Sequence, residues 1–283
     1  MSELKTTQAV QTPREIVDEA IEKYKLDSLY VLYSGGKDSV CIVHFIAENY
    51  PKLFKGAVFT NVGLGAQATR KFVLSYCKEM GWPLFMTWPK DKENFVNTTM
   101  RFGFAGPAVH PKFMAYLKGH SWYLFLRGWL KEGQKAAYVS GVRKKESKAR
   151  QFVRQYTRTA INLDTTGQIF IKPFHHKNGV DLWNYYNKYG LKKTSVYSWL
   201  NRSGECYCGA FLAEWELMMI KQYDPFAYAS IKWLERRIQT HGSKKAKQYS
   251  KYGGYQTTHD TDNQTQLEAF STSELCGESC ETE

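Results

Sequence analysis

The 283-residue chain has no run of 18 apolar residues, so nothing in it is long and apolar enough to be a membrane-spanning helix. Its start, Met1-Ser2-Glu3-Leu4-Lys5, lacks the apolar stretch of a signal peptide, which leads us to expect a soluble cytoplasmic protein with no membrane partner. Proline is scarce, at eight residues, and cysteine scarcer, at six. In a reducing compartment six cysteines point to metal ligation or catalysis rather than to disulfides. Acid is also in short supply. Thirty-nine Lys and Arg face 27 Asp and Glu, a net charge of +12. Seven of those acids (Asp260, Asp262, Glu268, Glu274, Glu278, Glu281, Glu283) lie in a C-terminal stretch with no Lys or Arg, which leaves residues 1–259 at +19. A body that basic suits polyanions: a nucleotide, a nucleic acid or its own acidic tail.

Two familiar phosphate-binding patterns are missing as well. A Walker loop would need glycine where Val31 stands, and Ser or Thr where Asp38 follows Lys37. The pattern G-x-G-x-x-A does occur, at Gly63-Leu64-Gly65-Ala66-Gln67-Ala68. It follows the second strand, however, whereas a dinucleotide fingerprint belongs in the first strand-to-helix turn.

That first turn holds Ser34-Gly35-Gly36-Lys37-Asp38-Ser39. Before it runs Leu29-Tyr30-Val31-Leu32-Tyr33, a buried-strand pattern. After it comes Val40-Cys41-Ile42-Val43-His44-Phe45-Ile46-Ala47, apolar nearly all round, as in a buried helix. Two glycines at a strand-to-helix turn let an anion approach the backbone and meet the helix N-terminus. Ser34 and Ser39 add hydroxyls, Lys37 a charge, and Asp38 a carboxylate suited to Mg²⁺.

Along the chain, Thr12-Pro13-Arg14-Glu15 has the form of a capping box ahead of a helix. Further strands are expected at residues 55–60, 83–87, 137–140 and 169–173, with helices to about Met80 and from Val180 to about Tyr189. Short connections in this alternation imply an α/β fold: three layers, doubly wound, with a mostly parallel sheet of about five strands and a ligand at the strands' carboxyl ends. His110, Lys112, Lys118 and His120 fall in an aromatic, helical stretch without metal-ligand spacing. Gly141-Val142-Arg143 follows the fourth strand and opens a stretch with seven basic residues and one acid between Arg143 and Arg158. Arg150, Arg154 and Arg158 would share one helix face there, which favours an anion site. Two closing helices are expected at about 211–222 and 226–239, and from His241 the polar composition is that of a mobile tail. The expected organisation is therefore a leading segment (1–27), a nucleotide-binding domain (28–240) and an acidic tail (241–283).

Four stretches together resemble the phosphoadenosine phosphosulfate (PAPS) reductase-like branch of the PP-loop, or adenine nucleotide α-hydrolase, superfamily. They are Ser34–Ser39; Gly141-x-Arg143-x-x-Glu146-Ser147-x-x-Arg150; Lys172-Pro173-Phe174 with Val180-Asp181-Leu182-Trp183 and Tyr186; and Ser203-Gly204-Glu205-Cys206-Tyr207-Cys208. The resemblance implies an adenine nucleotide, ATP or PAPS with Mg²⁺, lying across the strand ends. Its contacts would be Ser34, Gly35, Gly36, Lys37, Asp38, Ser39, Asn61, Gly141, Arg143, Glu146, Ser147 and Arg150, with Lys37, Asp38 and Arg143 taking part in catalysis. The loop is intact, as in ATP pyrophosphatases, and Asn61-Val62-Gly63 replaces the family's usual Asp-Thr-Gly after the second strand. Three activities stay open: adenylation of a substrate for sulfur-related chemistry with loss of pyrophosphate, thiol-dependent reduction of PAPS, and a non-catalytic nucleotide- or nucleic-acid-binding subunit. A sulfur-donor protein and a homodimer are the further partners left open.

Cys206-x-Cys208 and Cys276-x-x-x-Cys280 form two close pairs, whereas Cys41 and Cys77 sit in apolar helices as packing thiols. Four thiolates would suit an iron–sulfur cluster or zinc. The rival reading takes Leu275-Cys276-Gly277 as a trimmed form of the family's C-terminal Glu-Cys-Gly, with Cys276 as a mobile nucleophile.

Overall fold

The structure is a computed structural model, and it describes residues 10–106, 110–144, 160–164, 167–210 and 214–253. Its elements in order are α1 (Pro13–Tyr24), β1 (Ser28–Leu32), α2 (Lys37–Asn49), β2 (Phe54–Thr60), α3 (Gln67–Glu79) and β3 (Leu84–Thr87). Then come α4 (Phe95–Phe102), α5 (His110–Met114), α6 (His120–Trp129), β4 (Ala136–Val139), β5 (Ile161–Leu163) and β6 (Ile169–Ile171). The last are α7 (Gly179–Lys188), α8 (Tyr197–Leu200), α9 (Glu214–Tyr223), α10 (Pro225–His241) and α11 (Lys244–Gln248). The chain forms two compact units: residues 1–59, 72–85 and 126–194, and residues 60–71, 86–125 and 195–283.

The first unit is built on the sheet. α1 starts as its sequence requires: Glu15 N–H donates to Thr12 Oγ1 at 3.3 Å, and Thr12 N–H donates back to Glu15 Oε2 at 2.7 Å. Strand order is β3-β2-β1-β4-β6-β5. β1 pairs parallel with both β2 and β4, β4 pairs parallel with β6, and β5 pairs antiparallel with β6. Parallel strands in the middle of a sheet need both faces covered, and β4 is buried at every position. α2 meets that need: Val40 to Ile46 are all buried, which explains why its sequence has no polar stripe. Chain order reverses on either side of β1, between β2 and β4. That reversal is the switch point at which open α/β sheets bind ligands, beyond the strands' carboxyl ends.

Among the described residues the sheet has six strands, where about five are expected. The addition is β5, three residues long at the sheet edge, with Leu163 57 % exposed, too short and too exposed to leave an alternating pattern. Between the ends of β5 and β6, Gln168 N–H donates to Asp164 Oδ1 at 2.8 Å.

The second unit is helical. Its core gathers Phe104, Phe113, Leu117, Leu200, Tyr207 and Ile231, all nearly inaccessible to water. Asp224 caps α10, accepting from Ala227 N–H at 3.2 Å, and Pro225 occupies the first helical position. Residues 241–253, expected to open a loose tail, are structured. Ser243 caps α11, and Ala246 and Tyr252 are buried in the same core. Two apolar residues in a polar stretch are enough to anchor it. Among the described residues, no helix is long and apolar enough to cross a membrane.

His175, just after β6, is 2 % exposed, and its Nδ1 has no hydrogen-bond partner among the described residues. Burial, followed by the charges of His176, Lys172 and Lys144, pushes its pKa down to about 4. Between the unfolded value near 6.5 and about 4, the unfolded chain binds the extra proton, so stability is complete above that window and falls as pH drops through it. His175→Phe should flatten the fall in melting temperature between pH 6.5 and 4.5 by the equivalent of about 1–3 kcal/mol. An unchanged slope in that variant would show that His175 does not set the acid sensitivity.

Candidate nucleotide-binding site

The loop after β1 owes its shape to two residue types. Gly35 has φ of 75°, in the left-handed region that side chains avoid. The Ser39 hydroxyl lies at the loop's centre. It accepts N–H groups from Ser34 (3.2 Å) and Gly36 (3.1 Å), donates to the Gly36 carbonyl (2.9 Å), and lies 3.0 Å from the Ser34 hydroxyl. Ser39 thus holds the turn, where the sequence suggested a phosphate donor. Gly36 caps α2, aiming the helix N-terminus at the mouth of the loop.

Charge converges on Asp38. Lys37 Nζ stands 2.6 Å from one carboxylate oxygen, and Arg143 reaches the other through Nε (3.0 Å) and Nη2 (2.8 Å). Arg143, expected over the anionic end of a nucleotide, stands with Lys37 on the one carboxylate of the loop. All three side chains are shielded, at 9 % (Lys37), 21 % (Asp38) and 11 % (Arg143) exposure. The loop after β4 reaches this position because Gly141 has no side chain. A Cβ there would lie 2.7 Å from the Asp38 carbonyl oxygen and 2.9 Å from its carbon.

Residues from the end of the unit complete the surroundings. Thr194 N–H donates to the Gly35 carbonyl at 3.3 Å. Next to it, Lys193 Nζ lies 4.2 Å from the Trp183 ring centre, with Lys37 Nζ 5.0 Å from the same ring. Burial and the neighbouring charge of Lys37 hold the Lys193 pKa below its usual value. Sequence reasoning missed Lys193, and no spacing could have found it, because only the fold brings it to a loop some 150 residues earlier.

Asn61 belongs to the second unit, where its N–H donates to the Thr87 carbonyl at 2.9 Å and its Oδ1 accepts from Gly63 N–H at 3.1 Å. Glu146, Ser147, Arg150, Cys276 and Cys280 lie outside the described residues. Cys206 and Cys208 sit in the second unit with their thiols hydrogen-bonded to each other, and the His110 side chain bonds Cys208. Those bonds lower the Cys208 pKa against the effect of burial, while Cys206 is raised. The buried pair Lys118–Glu205, 2.5 Å apart, stands beside them. The four-thiolate set is therefore not assembled among the described residues, where no group of three or more His, Cys, Asp or Glu side chains is placed to hold a metal. Burial raises Cys41 and Cys77 to about 12, as packing thiols require.

Comparison with known proteins follows the same line. Residues 28–259 match the phosphoadenosine phosphosulfate reductase domain, and the chain belongs to that family. No match was found among curated protein sequences. Among solved structures it is similar to the phosphoadenylyl-sulfate (PAPS) reductase of Candida auris in complex with phosphate, at 14% identity and a TM-score of 0.45, covering 68% of this chain and 86% of that one. It is also similar to the FMN adenylyltransferase of Candida glabrata in complex with ATP, at 15% identity and a TM-score of 0.46, covering 67% of this chain and 57% of that one.

Replacing Gly141 tests the built geometry directly. Gly141→Ala must push the start of α2 away from the β4 loop, since backbone atoms rather than flexible side-chain tips stand in the way. We expect a loss of about 1–3 kcal/mol in denaturant unfolding. Wild-type stability in that variant would mean that the two loops do not pack as described.

Proposed function

We propose that the first unit binds the phosphates of ATP, or of a close adenylate, beyond the carboxyl ends of β1 and β4, and that the protein activates an acceptor by adenylation for sulfur-related chemistry. The observation that carries this reading is the placement of Lys37 and Arg143 on the Asp38 carboxylate of an intact glycine turn, with Lys193 and Lys37 over the same Trp183 ring. The two cations already hold anionic oxygens at the start of α2, and a polyphosphate presents oxygens of the same kind to the same helix N-terminus.

On nucleotide binding, Lys37 and Arg143 would exchange the Asp38 carboxylate for phosphate oxygens. The Arg143 fork suits two oxygens, whereas Lys37 and Lys193 act as point charges. Asp38, released from its partners, is the residue fitted to hold Mg²⁺, which supplies charge neutralisation on the phosphates. An acceptor oxygen then attacks the α-phosphorus, the bond to the bridging oxygen breaks, and pyrophosphate leaves with its charge held by Lys37. A sulfur or nitrogen nucleophile next displaces AMP from the adenylated acceptor.

Family membership favours a second reading, thiol-dependent reduction of PAPS. There a thiolate attacks the sulfonate sulfur, and adenosine bisphosphate is the leaving group, held by the same cations. The two reactions differ in product. ATP with Mg²⁺ should yield pyrophosphate, PAPS with a reduced dithiol should yield no sulfite, and Asp38→Ala should abolish the pyrophosphate. Sulfite formation would establish the reductase reading instead. Neither product, with acceptor fractions supplied, would indicate a non-catalytic nucleotide-binding subunit.

A further inference from the structure

We propose that α10 and α11 of the second unit present a binding surface for single-stranded nucleic acid. This inference stands apart from the nucleotide loop and does not depend on what that loop binds.

The helix orientation is fixed from the inside. Ala227, Ile231, Leu234 and Ile238 of α10 are buried in the second unit's core, so the opposite face is turned to solvent. On one exposed flank of the helix Phe226 is 84 % exposed and Trp233 45 % exposed. They are seven residues apart, two helical turns, and so lie nearly in line along the helix, about 10 Å from each other. Arg237, one turn further on, holds its guanidinium 5.5 Å from the centre of the Trp233 ring.

The charge on this stretch is one-sided. Between residues 232 and 250 stand Lys232, Arg236, Arg237, Lys244, Lys245 and Lys247 against a single acid, Glu235. That acid is already engaged: one oxygen is 2.5 Å from Lys232 Nζ, and the other accepts the Tyr252 N–H at 3.0 Å. Arg236, Arg237, Lys244 and Lys247 are all exposed.

A merely solvated helix face would carry the charges without the rings. Exposed Phe and Trp in line with arginine form a stacking platform that runs into a basic stretch, which is the combination that holds unpaired bases together with their phosphates. Duplex nucleic acid would use the cations but hide its bases from the rings. An acidic polypeptide would likewise leave Phe226 and Trp233 idle.

The test is fluorescence anisotropy of the full chain with a labelled 15-nucleotide oligo(U), a duplex of equal length, and polyglutamate as competitor, at 50 and 200 mM salt. The wild type should bind the single strand at least fivefold more tightly than the duplex. Phe226→Ala/Trp233→Ala should lose about 10- to 100-fold in affinity with an unchanged salt slope. Lys244→Gln/Lys245→Gln/Lys247→Gln should flatten that slope by about two. All five side chains are on the surface, and melting curves of each variant confirm retained folding. Wild-type affinity in the aromatic variant, equal binding of the duplex, or equally effective displacement by polyglutamate would overturn the proposal. So would the absence of oligo(U) binding at 50 mM salt.

Discussion

The Asp38 carboxylate joins two parts of the chain that lie more than a hundred residues apart. It pairs with the neighbouring Lys37, and through the Arg143 fork it ties the loop after β1 to the one after β4. The arrangement is dry enough for Coulomb attraction to matter. In the proposed function, phosphate oxygens would take over the role of this carboxylate. The group is positioned by the parallel pairing of β1 with β4, the missing side chain at Gly141, and the Ser39 hydroxyl that keeps the turn closed.

The division of labour within Ser34–Ser39 is finer than its sequence suggests. Gly35 provides the left-handed turn, Ser39 the internal hydrogen bonds, and Lys37 and Asp38 the charge. Of the two serines, Ser39 is buried among backbone groups. Its hydroxyl therefore sets the shape of the loop.

Much of this was legible in the residues. The strand-loop-helix around Ser34–Ser39, the capping box at Thr12, and the parallel alternation all have local causes that reach the sequence as pattern. The remainder has non-local causes. Lys193 and Trp183 come to the loop through packing, β5 is an edge strand of three residues, and α11 is held by two buried side chains in a polar stretch. Asn61 was assigned to the site by its place after the second strand, and its described bonds are to Thr87 and Gly63. Cys206 and Cys208, read from the sequence as half of a four-thiolate metal set, have their thiols hydrogen-bonded to each other. Their neighbours His110, Lys118 and Glu205 come from separate stretches that no motif connects.

The central claim is that the loop after β1, with its shared carboxylate, binds an adenine nucleotide. Calorimetric titration of the wild type and of Gly36→Val with ATP–Mg²⁺ and with PAPS tests it most directly. The account predicts saturable binding of at least one nucleotide by the wild type and its loss in Gly36→Val, with the melting temperature little changed. Equal binding by both proteins, or no binding by the wild type, would contradict it.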